Sequence, residues 1–153
     1  MAQFLLVTTL LTIAGLIVTI IAGFQASPTH VAQHIFFALG TVVIGLFSQS
    51  MTMFFFIGTG KEIKEKVKGA GEETTVVGQT KRFKAKVFPV AMYAMAAIMV
   101  TFIMGGGVAS GKTPRLLHDA LSFGTLAIYG YAYWVQLKAM EENARLMEKY
   151  LRD

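Results

Sequence analysis

The sequence predicts an all-α fold, an integral membrane four-helix bundle with both termini in the cytoplasm. Three observations carry that expectation. More than half of the 153 residues are apolar and only 15% are charged, against roughly 25% charged in an ordinary soluble domain. The first 60 residues contain no Lys, Arg, Asp or Glu, so no helix within them can present a charged face to water. The charges that exist are segregated to one side of the expected spans.

A membrane-spanning helix needs about 20 mostly apolar residues. Four stretches meet that requirement, at about 4–24, 31–60, 87–107 and 116–137. They leave a polar loop at 61–86 and a tail at 138–153, so the whole chain, 1–153, reads as one membrane domain with no soluble domain beside it.

The first stretch lacks a positively charged leader and is longer than the apolar core of a signal peptide, so it reads as a retained span. Ser27 and Pro28 then suit the N-cap and first turn of the second helix. That helix has no break before Gly69-Ala70-Gly71. At 1.5 Å per residue it outruns the bilayer, so the charged run from Lys61 to Lys66 is expected to project into the cytoplasm. Residues 72–86 read as a cytoplasmic linker and basic lead-in, with Pro89 in the first turn of the third helix. Gly105-Gly106-Gly107 ends that helix, and Thr113-Pro114 opens the fourth. The fourth helix continues toward the C-terminus, supported by Glu141/Arg145 and Glu148/Arg152 at i,i+4 spacing.

Orientation follows from charge. Lys61, Lys64, Lys66, Lys68, Lys81, Arg82, Lys84, Lys86, Lys138, Arg145, Lys149 and Arg152 fall on one side, and only Lys112 and Arg115 on the other. The positive-inside rule makes the basic side cytoplasmic. The net charge of +5 is accounted for by orientation and anionic headgroups, so no nucleic acid partner is expected. The expected setting is a multi-pass protein of a bacterial inner (plasma) membrane, with the lipid bilayer as its first partner. Cysteine is absent, which excludes disulfides, iron–sulfur clusters and thiolate-bound zinc.

Stripes of small and polar residues mark the inward faces: Thr8, Thr12, Gly15 and Thr19; His34, Thr41, Ser48 and Thr52; His118, Ser122, Thr125 and Tyr129. Their spacings of 3, 4 and 7 put each set on one helix face, and such faces pack helices closely.

The residues from Gly106 to Thr113 match the phosphate-loop pattern G-x-x-x-x-G-K-T. Here the pattern follows a transmembrane helix and precedes a proline, on the outer side, without the strand-to-helix context that gives it meaning. It reads as a turn.

All three histidines, His30, His34 and His118, fall at the external ends of helices 2 and 4. His34 and His118 are expected at matched depth on inward stripes. Two imidazoles on facing helices of a bundle can hold haem iron from both sides. The leading expectation is therefore haem b bound by His34 and His118, with His30 nearby, in a small redox subunit that passes electrons between quinol and a partner. A bare metal ion on His30, His34, His118 and Asp119 is the alternative ligand set. The plain structural explanation is that histidines near helix ends meet headgroups and cap the bundle. Gln33, Gln49 and Tyr93 either border a quinone site or bond between helices. The competing function is a noncatalytic accessory subunit, packed against its own copies or within a larger membrane complex. Deep ionisable residues of the kind that mark transporters are missing from the spans.

Overall fold

The computed structural model describes residues 1–26 and 31–151. Within them the chain forms four helices and no strand: α1 (Ala2–Phe24), α2 (Val31–Lys66), α3 (Glu73–Ala109) and α4 (Arg115–Leu151). Ser27, Pro28, His30 and Arg152, all singled out above, lie outside the described residues. The helices run up, down, up and down in a ring, each touching its sequence neighbours. Helix α1 closes the ring against α4, and α2 meets α4 across the diagonal.

α1, α2 and α3 are long and apolar enough to cross a membrane. α4, expected as a fourth span, falls short of that standard, because even its uncharged stretch 120–137 is interrupted by Tyr129, Tyr131, Tyr133, Trp134 and Gln136. The bundle is apolar outside as well as inside, with polar residues enclosed in its interior. Phe4, Val7, Ile21, Phe36, Phe54, Tyr93 and Ile103 point outward, each more than half exposed. The interior, beside apolar residues such as Leu5, Phe56 and Ile98, holds Thr8, Thr9, Thr12, Ser48, Gln49, Thr52, Thr101, Thr125 and Gln136. Polar groups enclosed in this way must find their partners inside the bundle.

They do so in two ways. Several hydroxyls bond a carbonyl one turn back on their own helix, such as Thr12 to Thr8 at 2.9 Å and Thr52 to Ser48 at 2.9 Å. Others bridge helices. Thr9 Oγ1 and Ser48 Oγ are 2.7 Å apart, and Gln136 Nε2 donates to Gln49 Oε1 at 2.5 Å. The buried Tyr129 fits because α2 carries a glycine opposite it; a Cβ on Gly45 would lie 2.7 Å from the Tyr129 hydroxyl.

One expected boundary is corrected. Residues 73–86, expected as a linker, are helical from Glu73 onward. Val76, Thr80, Phe83 and Val87 are buried at helical spacing against the long ends of α2 and α4. That packing outweighs the polar composition that made the segment look like a loop. Pro89 consequently stands in the middle of α3 and not in its first turn. There it removes one ladder hydrogen bond.

α1, with 23 residues, is about 35 Å long, while α2, α3 and α4 run about 55 Å. The surplus forms a three-helix stalk at the basic end, cored by Ile63, Val67 and Val76. Glu72, in the turn between α2 and α3, closes the stalk. It accepts hydrogen bonds from the Tyr150 hydroxyl and from Lys149, the latter at 3.2 Å. Its carboxyl is held below the usual value, first by the Tyr150 hydrogen bond and then by Lys149. Lys149 is correspondingly held above the usual amine value, by hydrogen bonds with Tyr150 and Glu72.

Two outcomes follow. Gln49→Leu or Gln136→Leu alone should lower stability by about 1–2 kcal/mol, because each leaves a buried amide unpaired, whereas the double variant should lose less than the sum. Thermal unfolding of the four proteins in mild detergent checks this. The depressed Glu72 contributes stability that is complete above the ordinary carboxylate pKa and disappears as pH falls through its lowered one. The raised Lys149 acts oppositely, contributing fully below the ordinary amine pKa and fading as pH rises through its own. Hydrogen exchange at the end of α4, measured against that of α1, should therefore accelerate selectively at acid and strongly alkaline pH, with a quiet plateau between.

Candidate histidine site

The end of the bundle opposite the stalk gathers the C-terminal turns of α1 and α3 and the N-terminal turns of α2 and α4. His34 lies in the first turn of α2, seven residues before the buried Thr41, and so shares its inward face. His118 stands in the same relation to Thr125 on α4. Their rings meet across the diagonal of the bundle with centroids 6.3 Å apart and planes at 84°.

Each ring rests on a glycine of the preceding helix. A Cβ on Gly23 would lie 3.1 Å from Cε1 of His34, and one on Gly105 would lie 3.0 Å from Cε1 of His118. Any side chain at either glycine would press on an imidazole. His34 Nδ1 is 3.1 Å from the carbonyl oxygen of Thr19. A carbonyl can only accept, so this contact assigns the proton to Nδ1 and leaves Nε2 with a free lone pair. The Thr101 carbonyl lies beside His118, whose Nδ1 is buried and makes no geometrically sound hydrogen bond.

The histidines border a cavity of about 620 Å³ walled by all four helices. That is within the roughly 300–1,000 Å³ range of small-molecule sites. Its walls are mainly apolar, with Leu16, Ile98, Phe102 and Phe123 contributing, and Thr19, Thr41, Thr101 and Ser122 add hydroxyls. Arg115 and Asp119 are the charged residues that line it. They pair at 3.7 Å, and Arg115 Nη2 also donates to the Gly23 carbonyl at 3.2 Å.

Among the described residues, no three His, Asp or Glu side chains stand close enough to hold a bare metal ion. The trio His34, His118 and Asp119 is thus not a ligand cluster, since Asp119 turns to Arg115. His30, the remaining member of that set, lies outside the described residues. The structure does not bring Gln33, Gln49 and Tyr93 together either. Gln33 and Tyr93 face outward, while Gln49 is buried in its bond with Gln136.

The phosphate-loop lookalike is a helix terminus. Ser110 N–H bonds the Gly106 carbonyl, Gly111 N–H that of Val108, and the N–H groups of Lys112 and Thr113 both bond that of Gly107, at 2.9–3.1 Å. Gly111 supplies the left-handed conformation of the turn, with φ at 71°. The amides that would cradle phosphate in a true loop are thus spent on the end of α3.

Sequence reading selected His34 and His118, placed Thr19 only on an inward stripe, Gly105 only at a helix end and Arg115 only in the charge count, and passed over Gly23 and Thr101. The signal for four of these exists. In each of α1 and α3 a glycine follows a threonine by four residues, just before the turn that leads to a histidine-bearing helix.

Comparison with protein-family models, curated proteins and solved structures finds no match. Magnesium-ATP should leave the melting temperature unchanged, as the loop geometry requires; a saturable rise that Lys112→Ala removes would overturn that reading.

Proposed function

We propose that the chain is a multi-pass membrane cytochrome subunit that holds one haem b between His34 and His118 and passes single electrons from quinol to a partner protein. The observation that carries this reading is the 6.3 Å separation of the imidazole rings. A metal–imidazole bond is about 2.0 Å, so two imidazoles on opposite sides of one metal have nitrogens about 4 Å apart and ring centres about 6 Å apart. Rings packed edge to face also stand about 4.5–7 Å apart, so the spacing supports the reading only together with the cavity the rings border.

Further features favour a haem over a bare ion. Two imidazoles suffice as axial ligands to a porphyrin iron, whereas a bare ion needs more donors. The cavity is large and mostly apolar, as a macrocycle requires. Arg115 at its edge offers a guanidinium suited to a propionate carboxylate. The Thr19 carbonyl holds His34 in the tautomer that presents Nε2. Haem supplies the one-electron chemistry, and the chain contributes ligands, burial and access.

In this reading all four helices cross the bilayer, the basic stalk is cytoplasmic, and the haem lies in the external leaflet. Quinol would reach it from within the membrane.

A second reading, an accessory subunit that docks a neighbouring helix or a second copy, is favoured by a separate groove between α3 and α4. It is nearly all apolar and is floored by Ala96, Ala97, Ala120 and Gly124. Small residues of this kind admit another helix at close range. The two readings are compatible.

Expression with haem precursor, purification in mild detergent and dithionite-reduced minus oxidised spectra test the proposal. The expected result is a sharp reduced α-band, lost in both His34→Ala and His118→Ala. A flat spectrum from a folded protein would leave the accessory reading standing alone.

A further inference from the structure

The two hairpins, α1–α2 and α3–α4, match each other residue by residue. The motif Val-Thr-x-Ile-x-Gly occurs at residues 18–23 and again at 100–105, an offset of 82. The motif His-x5-Gly-Thr occurs at residues 34–41 and again at 118–125, an offset of 84, the turn before it being two residues longer in the second half. Burial follows the same offsets. Leu5, Thr9, Thr12 and Leu16 of α1 are buried, and so are Val87, Ala91, Ala94 and Ile98, each 82 residues on. All seven buried residues of α4, at 125, 129, 132, 136, 139, 140 and 143, stand 84 residues after a buried residue of α2.

The contacts repeat as well. The Thr19 and Thr41 hydroxyls meet at 3.3 Å, and those of Thr101 and Thr125 at 2.7 Å. His34 packs on Gly23 as His118 packs on Gly105. Helices α2 and α4 touch across the diagonal while α1 and α3 do not, as expected of two equivalent hairpins about a central axis. The two histidines face each other across that axis.

We infer that the site is the joint between two copies of one helical hairpin, built as two like imidazole sockets that share the glycine and the threonine pair and differ in the hydrogen bond at Nδ1, which only His34 makes. Its ligand is a haem fastened on both faces and closed to diatomic gases. This rests on the haem reading above and narrows it. Two such sockets would offer a haem iron two ligands of the same kind, leaving no weaker one for oxygen or carbon monoxide to displace. Gly23 and Gly105 are positioning residues. Each sets how far its imidazole advances toward the axis, and neither touches the iron. The chain is therefore an electron carrier and not a gas sensor or oxygen-activating protein.

The test uses the purified full-length haem protein, reduced with dithionite and exposed to carbon monoxide, with Gly23→Ala, Gly105→Ala and Gly130→Ala run beside it. Gly130 is the control, because a Cβ there meets nothing within 4 Å. In the wild type and in Gly130→Ala the Soret band should not move. In both socket variants a carbon monoxide adduct should appear, to a similar extent, with a similar shift of reduction potential. A stoichiometric adduct in the wild type would overturn the inference while leaving haem binding intact. So would a response confined to one of the two socket variants. If a variant fails to fold, the wild-type result decides alone. A folded wild type without haem would remove both this inference and the reading it rests on.

Discussion

The structure depends on one constraint, that polar groups turned inward have no solvent to bond. In water a bundle is held by the apolar contacts of its core. Here α1, α2 and α3 are apolar enough to cross a membrane and turn large apolar side chains outward, and in lipid the burial of such side chains would add little to helix association. What distinguishes inside from outside is hydrogen bonding and close approach. The threonines and serines meet both demands. They are small enough to let α1 lie against α2, and each hydroxyl finds a carbonyl one turn back or a partner across the interface. The larger amides and the phenol are placed where a smaller residue faces them, as Gly45 faces Tyr129. Two buried donors, Gln49 Nε2 and the Tyr129 hydroxyl, have no protein partner.

That same constraint explains what the sequence disclosed. Long uncharged apolar runs can have few meanings, so helix number and approximate extent were legible from composition. The inward stripes were legible because polar residues in a span must face the bundle, and His34 with Thr41, and His118 with Thr125, obey that period. The matched depth of the two histidines followed from helix direction alone. The stalk was less legible. Residues 73–86 carry charges that suit a loop equally well, and only the four-residue rhythm of Val76, Thr80, Phe83 and Val87 distinguishes a helix packed on two others. The sockets were hidden for a different reason. Thr19 acts through its carbonyl, which every residue has, and Gly23 and Gly105 act by lacking a side chain, so the one trace of either role is the threonine–glycine spacing that α1 and α3 share.

The duplication stayed concealed because identity between the halves is sparse. The helices share geometry more than letters: Thr52 of α2 corresponds to Gln136 of α4, and Gly45 to Tyr129. Such exchanges are complementary. Where one half carries a large side chain, the other makes room, so the interior is filled by an asymmetric pair on a symmetric frame. The histidine end shows the opposite behaviour, with ring, supporting glycine and threonine pair kept alike in both halves. Divergence in the middle and likeness at one end are what a joint demands when its two sides must present the same chemistry to something between them.

Consider last the fastening of α4. It is tied to α3 by the hydroxyl pair at Thr125 and to α2 by the amide pair at Gln136, 11 residues further along, or about 16 Å. A rod held at one point can pivot, and one held at two separated points on different neighbours can neither swing nor roll. His118 sits seven residues beyond the nearer pin, so its aim toward the axis is inherited from bonds it does not make. The amide bridge, well away from the cavity, thus adds to the contacts with Gly23, Gly105 and Thr19 that hold the two imidazoles opposite each other.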